Sequence, residues 1–155
     1  MLDRLTMCIT MIDTKIKGNT TELECMLEFM KLGYQVSIPF GEDSRYDFVA
    51  DINGTLLRIQ CKTCSEIIDE NGNITAINFK TVRCSGGNAK VNTRTKYTKD
   101  EIDYFATSYC GKCYMVPVEQ CSNEKTLRII PPKNNQTKGV TWLKDCELSE
   151  VIKSL

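Results

Sequence analysis

Asn53-Gly54 lies between two runs of alternating side chains, Arg45–Ile52 and Thr55–Thr63. That dipeptide is the strongest short-range hairpin signal, because both residue types tolerate the positive φ a two-residue turn demands. A two-residue loop leaves one register, in which Ile52 opposes Thr55, Ala50 opposes Leu57, Phe48 opposes Ile59 and Tyr46 opposes Cys61. Side chains alternate along a strand, so this register makes one face apolar. On the other face it puts Asp47 beside Gln60, Arg45 beside Lys62 and Val49 beside Arg58. The rest of the chain has to fold around this two-faced hairpin.

Upstream, a helix is expected after Gly18-Asn19. Thr21 and Glu24 fit a capping box, Leu23, Leu27 and Met30 recur at helical spacing, and Gly33 ends the run. Glu24, Glu28 and Lys31 form its wet stripe. Glu22 instead lines up with Met26 and Phe29, so this carboxylate points along a buried flank, where a charge needs a partner. Leu5–Ile12 reads as a strand or helix of the fold, and Tyr34–Phe40 as a short strand. Downstream, Ile74–Cys84 reads as a strand, followed by a basic loop over Ser85–Lys96. Thr98 and Glu101 form a second capping box, predicting a helix with Ile102, Phe105, Ala106 and Tyr109 on one side. Cys113–Val118 and Thr126–Ile130 read as strands, Pro131-Pro132 breaks the pattern, and Cys146–Leu155 reads as a closing amphipathic helix. This order gives a single α/β or α+β domain over residues 1–155.

Composition narrows the chemistry. The 155 residues are 41% hydrophobic and 26% charged, as in a globular domain that needs no metal or disulfide staple to fold. Histidine is absent, which removes Ser-His and Cys-His hydrolases, imidazole metal sites and histidine-based nucleases. Lys plus Arg and Asp plus Glu each total 20, yet their distribution is uneven. Residues 71–99 carry Lys80, Arg83, Lys90, Arg94, Lys96 and Lys99, and residues 125–138 carry Lys125, Arg128, Lys133 and Lys138, with no carboxylate in either stretch. Such stretches suit local contact with a polyanion, although solvated loops produce the same pattern. Nine cysteines, an odd number, with no convincing signal peptide and no long apolar run, point to a reducing intracellular, cytoplasmic setting and no membrane. Cys61/Cys64 and Cys110/Cys113 have zinc-ligand spacing, but strand alternation sends Cys61 and Cys64 to opposite faces, which favours buried free thiols.

Glu22, Asp47 and Gln60-Cys61-Lys62 form a series: a helical glutamate, a strand aspartate and, on the next strand, polar-x-Lys. The series resembles the PD-(D/E)XK nuclease superfamily, and within it the intron-encoded homing endonucleases, with Holliday-junction resolvases more distant. Gly18-x-x-x-Glu22, Arg45-Tyr46-Asp47 and Arg58-Ile59-Gln60-Cys61-Lys62-Thr63 carry the likeness. A looser one continues through Lys96-Tyr97, Ile102-Asp103-Tyr104-Phe105 and Val116-Pro117, so that it covers about residues 18–118.

The resemblance implies a restriction-endonuclease-like core, a central mixed sheet whose central hairpin carries the active site, flanked by helices. It implies a Mg²⁺-dependent endodeoxyribonuclease, with Mn²⁺ as a possible substitute, because phosphodiester hydrolysis needs a cation and hard cations want oxygen ligands. Asp47 would be the principal ligand, joined by the Gln60 side-chain oxygen, the Cys61 carbonyl and Glu22. Lys62 would orient or help deprotonate the attacking water. Two positions depart from the commonest pattern: Tyr46 precedes Asp47 where proline is usual, and Gln60 replaces an acidic residue, which removes a charge from the metal site. Double-stranded DNA is the implied partner, contacted through Arg83, Lys90, Arg94 and Lys96 and then Lys133 and Lys138. One domain covers few base pairs, so long-site recognition implies a homo-oligomer, a dimer or tetramer. A junction-resolving or repair nuclease, a toxin-like nuclease and a catalytically degenerate DNA-binding module are the alternatives.

Overall fold

The structure, a computed structural model, describes residues 14–41, 43–85, 93–133 and 136–155. The expectations for Leu5–Ile12 and Lys90 lie outside these residues. Helix α1 (Thr14–Lys31) is followed by β1 (Gln35–Ser37), β2 (Phe48–Ile52), β3 (Thr55–Cys61), β4 (Ser65–Ile68), β5 (Ile74–Lys80), β6 (Val82–Ser85) and β7 (Thr93–Lys96). Then come β8 (Tyr104–Tyr109), β9 (Lys112–Pro117), β10 (Glu124–Arg128) and a short helix α2 (Leu148–Ile152). The main sheet runs β1-β2-β3-β8-β9, with β3 and β8 parallel and the other pairs antiparallel. A second sheet runs β10-β5-β4, and β6 and β7 form a two-stranded ribbon. The fold is mixed α+β around a central mixed sheet.

The hairpin takes the register its turn dictates: Ile52 pairs with Thr55, Ala50 with Leu57, Val49 with Arg58 and Phe48 with Ile59. Asn53 and Gly54 adopt φ of 54° and 91°. Both faces of the main sheet are covered. On one, Cys25 and Phe29 of α1 pack with Phe48, Ala50, Ile59, Cys61, Ala106 and Met115. On the other, Phe105, Tyr114 and Val116 pack against Ile77, Phe79 and Leu127 of the second sheet, so that a sheet occupies the place expected of a flanking helix. Phe29 and Phe48 meet edge to face, with centroids 5.5 Å apart, and both are fully buried. Phe29→Ala is expected to cost about 3–5 kcal/mol through lost burial and the cavity left behind, read as a lower urea midpoint.

Five expectations are corrected. Helix α1 begins well before Gly18-Asn19, and Thr21 is no cap: the Thr20 and Thr21 hydroxyls donate to the Ile16 and Lys17 carbonyls at 2.8 and 2.9 Å. The buried face of α1 is Thr21, Cys25 and Phe29, whereas Leu23, Leu27 and Met30 are exposed. Half of the second capping box forms, with the Glu101 carboxylate accepting from the Thr98 N–H at 3.0 Å, while the Glu101 N–H donates to the Thr98 carbonyl and closes a single turn. The predicted helix beyond it is instead β8, which lies between β3 and β9. A strand buried on both faces carries apolar residues without alternation, and over a few residues that run mimics a buried helix. The strand expected over Ile74–Cys84 breaks at Thr81, whose N–H and hydroxyl donate to the Asn123 and Ser122 carbonyls. The closing helix is limited to Leu148–Ile152, after a 3-10 turn at Leu143–Cys146.

Candidate active site

Arg58 fixes the strand that carries the site. Its backbone N–H and guanidinium donate to the Asp103 carboxylate at 2.8–3.0 Å, and the Asp103 N–H returns a bond to the Arg58 carbonyl at 2.9 Å. Burial would raise the Asp103 carboxyl, but these bonds to Arg58 hold it below the usual carboxylate range. The clamp ties β3 to the start of β8, and the Lys62 N–H continues the link to the Ala106 carbonyl at 2.9 Å. Gln60, Cys61 and Lys62 are thereby held at the end of a central strand.

The β2–β3 ladder stops one residue before Asp47. The Asp47 N–H donates to the Ile59 carbonyl at 2.8 Å, and its side chain takes over the next donors. Oδ2 accepts from the Cys61 N–H at 2.6 Å and from Gln60 Nε2 at 2.7 Å. This departure corrects two expected pairs. Tyr46 packs in the cluster on the second-sheet side while Cys61 belongs to the α1 side, and Arg45 pairs with Glu101 at 2.9 Å. Asp47 and Gln60 do meet, as the register requires. Gln60 turns its amide nitrogen, rather than its oxygen, toward Asp47 and toward the Cys61 carbonyl at 3.3 Å.

Helix α1 brings the fourth group. The Thr21 and Thr63 hydroxyls hydrogen-bond at 3.1 Å, pinning the helix against the chain just past β3. Their neighbours Glu22 and Lys62 are therefore brought to one place. Burial, then the Asp47 charge, pushes the Glu22 carboxyl up, while Lys62 draws it down. Burial likewise raises Asp47, against the Cys61 N–H, the Lys62 charge and the Gln60 amide. Two half-buried carboxylates, one amide and one lysine thus form an interacting set. The Lys62 ammonium also lies 5.2 Å from the centroid of the Tyr97 ring, itself packed edge to face on Phe105. Tyr97 is a site residue that spacing alone does not reveal; its only sequence signal is the loose Lys96-Tyr97 likeness.

The raised Asp47 fixes a sign. A carboxyl that holds its proton more tightly when folded contributes stability that is full below the unfolded value, about 3.9, and is lost as pH rises through the folded one. Asp47→Asn is therefore expected to raise the urea midpoint at neutral pH in EDTA, with the gain closing below about pH 4. A midpoint that is lowered, or a gain independent of pH, contradicts the burial reading.

The other candidates are spread more widely. In the ribbon Arg83 opposes Thr95 and Val82 opposes Lys96, so Arg83 lies on the face opposite Arg94 and Lys96. Arg83 acts electrostatically on Tyr97, beside the site. Arg83, Arg94 and Lys96 are all exposed. Lys133 pairs with Glu70 at the far end of the second sheet, and Lys138 is exposed in the loop before Val140. A stretch free of acid in sequence is thus not free of it in space. Cys61 and Cys64 pack into different clusters, as alternation expects. Among the described residues, no three Cys, Asp or Glu side chains gather as metal ligands, and no helix is long and apolar enough to cross a membrane. The oxygen donors at the site are two carboxylates and the Cys61 carbonyl, which suit a hard cation, and the Gln60 amide offers its oxygen only after a half-turn about its terminal torsion.

The sequence model for PD-(D/E)XK endonucleases matches residues 12–149. The chain belongs to the PD-(D/E)XK endonuclease family. Membership makes it a nuclease hydrolase with DNA as its substrate class, in a family whose members generally use divalent metal ions. Among solved structures, the chain is similar to a bacterial homing endonuclease, I-Ssp6803I, with a TM-score of 0.71 and 20% identity. The match covers 92% of this chain and 95% of that one, and at this identity it is a likeness of PD-(D/E)XK fold. No curated protein matches the chain in sequence.

Proposed function

We propose that this PD-(D/E)XK endonuclease is a Mg²⁺-dependent, site-specific DNA endonuclease of the homing type, built as one domain over residues 1–155 and acting as a dimer or tetramer. The single observation that carries the catalytic reading is the convergence of Asp47, Gln60 and Lys62 on the hairpin end with Glu22 beside them. Asp47, the Cys61 carbonyl, Gln60 and Glu22 are the residues to hold the cation, with Mn²⁺ a possible substitute. When bound, the ion would supply neutralisation of developing phosphate charge and a lowered water pKa. The chain's own residues do the rest. The Cys61 N–H and the hairpin fix the Asp47 carboxylate in place. Gln60 presents either its amide nitrogen or its oxygen by half a turn about its terminal torsion, holding Asp47 without the ion and joining it as a donor with the ion. Lys62 orients the attacking water and stabilises charge on the phosphate, held over Tyr97.

Arg83 supplies phosphate contact beside the site, with Arg94 and Lys96 on the other face of the ribbon, so affinity is expected to fall with salt. Lys133 and Lys138 are proposed as outlying contacts. The homing type is favoured by fold likeness to a homing endonuclease. The test offers purified protein a randomised duplex library and a four-way junction in Mg²⁺. Cuts sharing a long consensus support the homing reading. Preferential junction cutting replaces it with a resolvase, and binding without cleavage replaces it with a DNA-binding module.

A further inference from the structure

Phe40 is fully solvated, at 107% of its reference exposure, and Ile38 two residues earlier is 72% exposed. Scattered apolar residues on a surface need no explanation, but a whole phenyl ring left in water at the same end of the main sheet as a candidate active site does. Pro39 fixes its own φ and confines Ile38 to extended conformations, and Gly41 takes φ 90°, where a side chain would be strained. Phe40 thus stands between a proline and a glycine at a tip of the loop, with its ring in solvent.

That tip belongs to the site's end of the sheet. Ser37, the last residue of the edge strand β1, pairs with Val49, and the loop that follows returns to the sheet at Asp47. Phe40 and Asp47 are seven positions apart along the chain, a reach of at most about 24 Å, or about seven base steps of a duplex. Arg45 and Arg83 act on Tyr97, on the side of the site toward the ribbon. A duplex lying over Asp47 and Lys62 would thus meet cationic side chains on the ribbon side and an exposed phenyl ring toward the sheet's β1 edge.

We propose that Phe40, backed by Ile38, is a wedge that enters between base pairs of bound duplex DNA near the scissile phosphate and unstacks one step. Apolar side chains used in this way part a base step and bend the duplex, which brings more of it onto the protein. Bending at Phe40 would draw the backbone toward Asp47 and Lys62. The proposal rests on the DNA-endonuclease reading.

The test measures affinity of the full chain in EDTA, which prevents cutting, for a short intact duplex and the same duplex with a central one-nucleotide gap. A gap removes the unstacking cost, so wild type is expected to favour the gapped duplex by about tenfold. Phe40→Ala is expected to lose the preference, and Phe40→Leu to keep most of it. Replacing an internal base by 2-aminopurine adds a direct reading, with fluorescence rising on binding of wild type and not of Phe40→Ala. Equal affinity of wild type for both duplexes, or an unchanged preference in Phe40→Ala, overturns the wedge. A changed sedimentation coefficient in Phe40→Ala with the preference intact also overturns it, assigning the ring to a contact between copies of the chain. No binding of either duplex by any form sinks the DNA reading itself, and the wedge with it.

Discussion

Lys62→Ala is expected to lower single-turnover cleavage by about 10³-fold while changing duplex affinity by no more than a few fold. Lys62 stands at the end of β3, anchored through its N–H to Ala106, with its ammonium over Tyr97 and its charge acting on both Glu22 and Asp47. A cation in that position acts on the reacting phosphate and water far more than on ground-state binding, so the loss falls on the rate. Loss of binding and cleavage together in Lys62→Ala would place Lys62 in DNA capture instead. Lys62→Arg keeps the charge but spreads it over a planar fork, and is expected to recover only a minor part of the rate.

Gln60→Glu is expected to have opposite effects with and without a divalent ion. In EDTA it replaces the 2.7 Å bond from Gln60 Nε2 to Asp47 with two carboxylates at that distance, in a place where Gln60 is only 9% exposed. The variant should lose about 1–3 kcal/mol, read from its urea midpoint, through the broken bond and the like charge. Added Mg²⁺ should then raise its midpoint more than it raises the wild type's, because a ligand bound only by the folded state stabilises it by an amount that grows with the logarithm of its affinity. Equal Mg²⁺ shifts in the two proteins would mean that Gln60 is not among the residues holding the ion.

The hairpin was legible because a two-residue turn leaves no choice of register, and Asp47 and Gln60 met as that register demands. It was misread only beyond Phe48, where the Asp47 carboxylate replaces ladder bonding and sends Tyr46 to the other core. Glu22 was legible from its alignment with Met26 and Phe29. The register of α1 was harder to see, because its buried face is built from Thr21, Cys25 and Phe29, and Thr21 does not look like core. Tyr104–Tyr109 failed for a different reason: a central strand buried on both faces loses the period-two signal, and half of a capping box sat just before it. Tyr97 and the Arg58–Asp103 clamp depend on contacts between distant segments, which no local pattern records.

The most direct measurement incubates wild type and Asp47→Ala with a randomised duplex library, in Mg²⁺ and in EDTA, and sequences the cut ends. Cleavage by wild type in Mg²⁺ alone, with none by Asp47→Ala although it still binds duplex, is the expected result. Cleavage by Asp47→Ala at the wild-type rate, or by wild type equally in EDTA, would contradict a divalent-ion site built on Asp47.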